Sequence, residues 1–103
     1  MSWESIDFAD IKQLLDTNEN TRLLDVREED EFITGHPKQA ELFPLDEISD
    51  ETAELAIPDK ASPVIVYCRT GARSREAAEK LCALGYERVY DAGSMAGWPY
   101  GTV

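Results

Sequence analysis

The run Pro63-Val64-Ile65-Val66-Tyr67 is apolar at every position and rich in β-branched residues, which is typical of a strand buried on both faces. A helical pattern follows at residues 75–84, and shorter strand-like runs at residues 22–26 and 88–90 are separated from it by helical or polar segments. Strands that alternate with helices favour a parallel sheet with helices on both faces. We therefore expect an α/β fold of three layers, with a parallel sheet of about four to five strands.

The other segments fit the same alternation. Asp7 is well placed to cap a helix whose apolar residues recur at helical spacing. Residues 28–34 predict a short helix that ends at Gly35, and residues 42–45 predict a brief strand. Ser49 is expected to begin a further helix, because a small polar residue stands immediately before a helical pattern.

Length and charge limit the classes of protein to consider. The 103 residues predict one domain, spanning 1–103, and 10 basic against 21 acidic residues give a net charge of −11. Such a charge argues against nucleic acid or an anionic membrane as a partner. No apolar stretch is long enough to span a bilayer and residues 1–20 lack a signal-peptide pattern, so we expect a cytoplasmic protein. One histidine and no close cysteine pair predict neither a metal site nor a cofactor.

Cys68 follows the apolar run directly and is the candidate nucleophile. Catalytic sites in parallel sheets lie at the carboxyl ends of strands, where we expect Cys68 and residues 25–27. Backbone N–H groups in a tight loop before a helix favour an anion, and nearby arginines lower a thiol pKa from about 8.5. The loop is formed by Arg69, Thr70, Gly71, Ala72, Arg73 and Ser74.

Four segments together resemble the rhodanese-like sulfurtransferases, in the order that this family has them. They are Leu24-Asp25-Val26-Arg27, Gly35-His36, Cys68-Arg69-Thr70-Gly71-Ala72-Arg73-Ser74 and Gly93-Ser94-Met95-Ala96-Gly97-Trp98. They span residues 22–98, nearly the whole chain. The resemblance departs at Pro37-Lys38-Gln39-Ala40, where the family usually continues with Ile-Pro-Gly-Ala, and this affects the expected shape of that rim.

The resemblance implies a rhodanese-like fold and a double-displacement sulfur transfer. The Cys68 thiolate would take the outer sulfur of a small donor such as thiosulfate as a persulfide, then pass it to cyanide, a thiol or a protein acceptor. The six loop residues 69–74 would bind the donor and the persulfide, with Arg69 and Arg73 as candidates for binding the sulfonate of the donor.

Other conspicuous side chains are interpreted structurally. Cys82 lies on the apolar stripe of the helix after the loop, so it is expected in the core. His36 is expected to be a hydrogen-bonded structural residue, and Asp25 with Arg27 an ion pair or loop anchor. Met95 and Trp98 are expected to pack as a terminal lid, and Arg75 to pair with Glu79 on the helix surface.

Three alternative functions remain open on the sequence. A phosphatase or arsenate reductase would use a similar anion-binding loop, but related phosphatases have five residues between cysteine and arginine, whereas four separate Cys68 from Arg73. A regulatory binding module would not need the cysteine, so the presence of Cys68 within a full loop counts against this class. A sulfur carrier that delivers persulfide sulfur to a partner protein would use the same loop.

Overall fold

The computed structural model describes residues 2–103 and contains one parallel sheet with helices on both faces. The strands are β1 (Glu4–Ser5), β2 (Arg22–Asp25), β3 (Ala40–Leu42), β4 (Pro63–Cys68) and β5 (Arg88–Ser94). The helices are α1 (Phe8–Thr17), α2 (Glu29–Phe32), α3 (Asp50–Ala56) and α4 (Ala72–Ala83), and residues Leu45–Glu47 form a 3₁₀ turn. All neighbouring strands are parallel, in the order β1-β5-β4-β2-β3. The expected α/β architecture is confirmed.

The apolar strands bury both faces because successive side chains point to opposite sides of the sheet. Val64 and Val66 pack in a cluster with residues of α3 and α4, whereas Ile65 and Tyr67 pack on the other side with residues of α1 and the C-terminal segment. Cys68 belongs to the first cluster. The thiol is therefore on the α4 side of the sheet, and the Tyr67 ring is on the α1 side.

The register of the central strands brings two strand ends together. Asp25, the last residue of β2, is the register partner of Tyr67 in β4, so both side chains lie on the same face. The pairing of β4 with β5 shifts after Val66, whose partner is Asp91, whereas the partner of Tyr67 is Gly93. The irregularity lies next to the strand end that carries Cys68, in agreement with the occurrence of bulges beside active sites.

Helix starts follow the predicted capping residues. The carboxylate of Asp7 accepts a hydrogen bond from Asp10 N at 2.8 Å, and Ser49 forms a capping box with Thr52. The α4 helix begins at Ala72, three residues before the predicted start, because Gly71 serves as the N-cap at φ 99° and its carbonyl accepts the N–H of Arg75. This conformation favours glycine.

Other element boundaries also differ from expectation. The α2 helix is limited to Glu29–Phe32, and β5 continues from Tyr90 to Ser94. The strand expected at residues 42–45 lies at Ala40–Leu42 instead, and Leu45–Glu47 form the 3₁₀ turn. The two-residue strand β1 was not expected. The differences in the strands depend on pairing partners that are distant in sequence, such as Leu23 for Ala40 and Tyr90 for Glu4.

No helix within residues 2–103 is both long and apolar enough to cross a membrane. The same residues contain no group of three or more His, Cys, Asp or Glu side chains arranged to hold a metal ion.

Candidate active site

Cys68 ends β4 and is 2% exposed, and its sulfur is surrounded by the loop that leads into α4. Gly71 N lies 2.9 Å from Cys68 Sγ and donates a hydrogen bond to it, and Ser74 N donates a second at 3.4 Å. The Ser74 hydroxyl oxygen lies 3.5 Å from the sulfur and accepts from the protonated thiol, while the hydroxyl donates to Gly71 O at 3.1 Å; when the thiol is ionised, the hydroxyl can turn and donate to the sulfur instead. The expected cradle of N–H donors around the thiol is therefore formed by Gly71 and Ser74.

Two opposing effects determine the ionisation of this thiol. Burial raises the pKa of Cys68, because a thiolate loses solvation in the protein interior. Hydrogen bonds from the Ser74 side chain and from the N–H groups of Ser74 and Gly71 stabilise the thiolate, and together they bring the pKa of Cys68 below its ordinary value. The loop therefore favours the nucleophilic form of the cysteine.

A cleft of about 210 Å³ opens beside Cys68 at the carboxyl ends of the strands. Two basic side chains, Arg27 and Arg69, line it, and among residues 2–103 no acidic side chain does. Its apolar walls are Pro37, Tyr67, Met95 and Ala96. In a chain of net charge −11, both charged side chains that line this cleft are basic, which favours an anion there.

Arg69 and Arg73 differ in their surroundings. Arg69 is exposed and lines the cleft. The guanidinium of Arg73 makes two hydrogen bonds to the Glu31 carboxylate, at 2.6 and 3.0 Å, and Arg73 is not a lining residue of the cleft. Thr70 and Ala72 are exposed on another side of the loop, where they line a second cavity together with Trp3.

A buried network lies behind the cleft. Asp25 is fully buried, and its carboxylate accepts hydrogen bonds from Arg27 Nε at 2.9 Å, from Arg27 Nη2 at 2.7 Å and from the Tyr67 hydroxyl at 2.8 Å. Arg27 Nη2 also donates to Gly35 O at 2.9 Å. The prediction that Asp25 and Arg27 form an ion pair and a loop anchor is confirmed.

The structural interpretations of the remaining side chains have different outcomes. Cys82 is buried in the core, where burial raises the pKa of its thiol, and His36 Nδ1 lies 2.8 Å from Phe32 O, as expected. Met95 and Trp98 are buried, and the Trp98 ring contacts the rings of Phe8 and Tyr100 edge-on. The predicted pair of Arg75 with Glu79 does not form within residues 2–103.

One relationship in this site was not recognised from the sequence, the ion pair between Glu31 and Arg73, which are 42 residues apart. Arg27 lines the cleft, at the strand end where residues 25–27 were expected, in addition to forming its ion pair with Asp25.

Comparison with known proteins gives a consistent result. The model of the rhodanese-like domain family matches residues 7–99. The thiosulfate sulfurtransferase PspE of Escherichia coli (strain K12) is 38% identical over 72 residues, which are 70% of this chain and 68% of that protein. The putative sulfurtransferase YtwF of Bacillus subtilis (strain 168) is 30% identical over 98 residues, covering 95% and 92% of the two chains.

A solved structure supports the same fold. The structure described as "rhodanese with anions from E. coli" superposes with a TM-score of 0.74 at 34% sequence identity, covering 81% of this chain and 96% of that one. The similarity includes nearly all of the solved chain.

Proposed function

Because this chain belongs to the rhodanese-like domain family, whose relatives include named sulfurtransferases, we propose that it is a thiosulfate sulfurtransferase that carries sulfur on Cys68. The observation that carries the proposal is the pair of backbone N–H donors, from Gly71 and Ser74, directed at the Cys68 sulfur. Two fixed donors stabilise a negative charge on sulfur both before and after the transfer.

The reaction takes place in two displacements. In the first, the Cys68 thiolate attacks the outer sulfur of thiosulfate, a new S–S bond forms, and sulfite leaves with the electron pair of the old S–S bond. Cys68 is then a persulfide whose terminal sulfur carries the charge. In the second, cyanide or a thiolate attacks that terminal sulfur, and the Cys68 thiolate is the leaving group.

The residues of the loop have separate roles in this proposal. The N–H groups of the loop, which includes Thr70 and Ala72, hold the thiolate and then the longer persulfide. Arg69 binds the sulfonate of the donor, because it lines the cleft and a guanidinium offers several fixed donors to an oxyanion. Arg73 is bound to Glu31, which compensates its charge, and the pair links the start of α4 to α2 beside the loop.

The geometry of Arg73 also bears on the phosphatase alternative. A phosphate bound in a cysteine–arginine loop needs the guanidinium as a ligand, and here both terminal nitrogens of Arg73 are bonded to Glu31. A persulfide needs no such ligand, because N–H donors suffice for a single sulfur anion.

Mass spectrometry of the intact protein and of its peptides tests the proposal. After exposure to thiosulfate, we expect one added sulfur on the peptide of Cys68, and its loss with formation of thiocyanate when cyanide is added. The Cys68→Ser variant should gain no sulfur. Absence of the adduct on Cys68 in the folded wild-type protein, or an equal adduct on Cys82, would contradict the proposal.

A further inference from the structure

Arg27 is held more firmly than any other basic side chain that lines the cleft. Its Nε and Nη2 atoms are bonded to the fully buried Asp25 carboxylate, and Nη2 is also bonded to Gly35 O. The guanidinium lies over the Tyr67 ring, with 5.6 Å from Cζ to the ring centroid. These contacts fix the group in one orientation, so little conformational entropy remains to be lost when it binds a ligand.

One end of this guanidinium is left for a ligand. Within residues 2–103, Nη1 makes no hydrogen bond, the side chain of Arg27 is 14% exposed, and Arg27 is a lining residue of the cleft. Asp25 is fully buried behind it, so the ion pair presents its positive end to the cleft and its negative end to the core. Arg69, in contrast, is exposed to solvent, and Arg73 is engaged by Glu31.

We propose that Arg27 is an anion-binding residue of the cleft and selects sulfur donors that carry a negative charge beside the transferable sulfur. Asp25 and Tyr67 are positioning residues for it, because the Tyr67 hydroxyl and the two guanidinium nitrogens share the same carboxylate. The inference depends on the proposed function for its substrate class, but the binding role can be measured without any sulfur transfer.

Two alkylating reagents of similar size and different charge are the probes. Iodoacetate is an anion and iodoacetamide is neutral, and both attack the same Cys68 thiolate. The ratio of their rates at Cys68, resolved from Cys82 by peptide mass spectrometry, reports the preference of the cleft for an anion. It cancels changes in the nucleophilicity of the thiolate, which affect both rates.

The test variant is Asp25→Asn/Arg27→Met, which removes both charges and leaves no buried carboxylate unpaired. Its matched control is Arg22→Met/Glu41→Gln, which removes an ion pair from the other end of β2. We expect the iodoacetate to iodoacetamide ratio to fall about tenfold in the test variant, since a charged hydrogen bond to the anion is lost, and to stay unchanged in the control. An unchanged ratio in the folded test variant overturns the proposal.

A second measurement does not depend on a variant of the buried pair. In Cys68→Ser protein, which cannot form a persulfide, we expect the Nε resonance of Arg27 to shift and saturate as thiosulfate is added, while that of Arg22 does not move. A shift of Arg69 without one of Arg27 overturns the proposal. Failure of the wild-type protein to form a persulfide, with the Arg27 shift intact, contradicts the proposed function alone.

Discussion

Arg73 and Glu31 form a two-fold hydrogen-bonded ion pair, which joins the first turn of α4 to the first turn of α2. The hydrogen bonds from Arg73, with a further one from the Glu28 backbone, hold the pKa of Glu31 at about 2. The carboxylate is therefore ionised throughout the neutral range, and it compensates the positive charge of Arg73 beside the loop that follows Cys68.

Removing Arg73 alone should impair the site more than removing the whole pair. In Arg73→Met, the unpaired Glu31 charge lies near the loop and opposes both the thiolate and an anionic donor, so we expect kcat/KM for thiosulfate to fall roughly tenfold. The double variant Glu31→Gln/Arg73→Met should recover most of that loss. Steady-state kinetics measure both, and Lys12→Met, which breaks an ion pair on α1, is the control. A double variant as slow as the single one would indicate instead that Arg73 binds the donor itself.

The same pair predicts a stability difference that depends on pH. The pKa of Glu31 is lowered from 4.5 to about 2 on folding, so the pair stabilises the protein above about pH 4.5 and this contribution is lost as the pH falls towards 2. The side chains are 35% and 24% exposed, so the contribution is about 1 kcal/mol or less. Urea unfolding of wild type and Glu31→Gln/Arg73→Met should show a gap in the free energy of unfolding at pH 6 that closes near pH 2. A gap of constant size would contradict the assigned pKa.

The two cysteines should titrate on opposite sides of a free thiol. Hydrogen bonds from the loop outweigh burial and lower the pKa of Cys68, whereas burial raises the pKa of Cys82. The rate of alkylation by iodoacetamide against pH should therefore reach its midpoint at a lower pH for Cys68. Ser74→Ala should move the Cys68 midpoint upwards, because the hydroxyl 3.5 Å from the sulfur, which can turn to donate to the thiolate, is lost. Coincident midpoints for the two thiols in the folded protein would show that the loop does not stabilise the thiolate.

Serine substitutions should separate chemistry from stability. Cys68→Ser is expected to abolish thiosulfate:cyanide sulfur transfer, because a hydroxyl is a far poorer nucleophile at neutral pH. Cys82→Ser should keep most of the activity and lower the free energy of unfolding by about 1–3 kcal/mol, since a hydroxyl enters an apolar cluster. Activity assays and denaturant unfolding of both variants test this. Loss of activity in a folded Cys82→Ser protein would assign that thiol a role in the reaction.

Local patterns were sufficient for the parts of the fold that depend on neighbouring residues. The apolar run of β4, the Asp7 cap and the Ser49 cap are properties of a few consecutive residues, and the structure contains all three. The edge strand β1 has no such pattern, because Glu4 and Ser5 are both exposed and are identified as a strand only by pairing with β5.

The same distinction applies to the site. The sequence indicated Cys68 and the N–H donors around it because a strand end, a glycine and a helix start follow one another along the chain. It could not indicate that Arg73 is paired with Glu31, because this contact joins two helices through residues that are 42 positions apart. The sequence showed that Arg69 and Arg73 are both basic residues of the loop, but not that Arg69 lines the cleft whereas Arg73 is bonded to Glu31.

The two edge strands of the sheet, β1 and β3, also affect whether copies of this chain can aggregate by strand pairing. The outermost strands are the shortest, two residues in β1 and three in β3, and each carries an exposed glutamate, Glu4 and Glu41. The apolar strand β4 is paired on both sides along its length, and β5 is paired with β4 on one side and with β1 at Tyr90 and Asp91 on the other. Short edge strands oppose strand-to-strand aggregation, and on β1 the charge of Glu4 adds to this; deletion of residues 2–5 would uncover the edge of β5 and remove that protection.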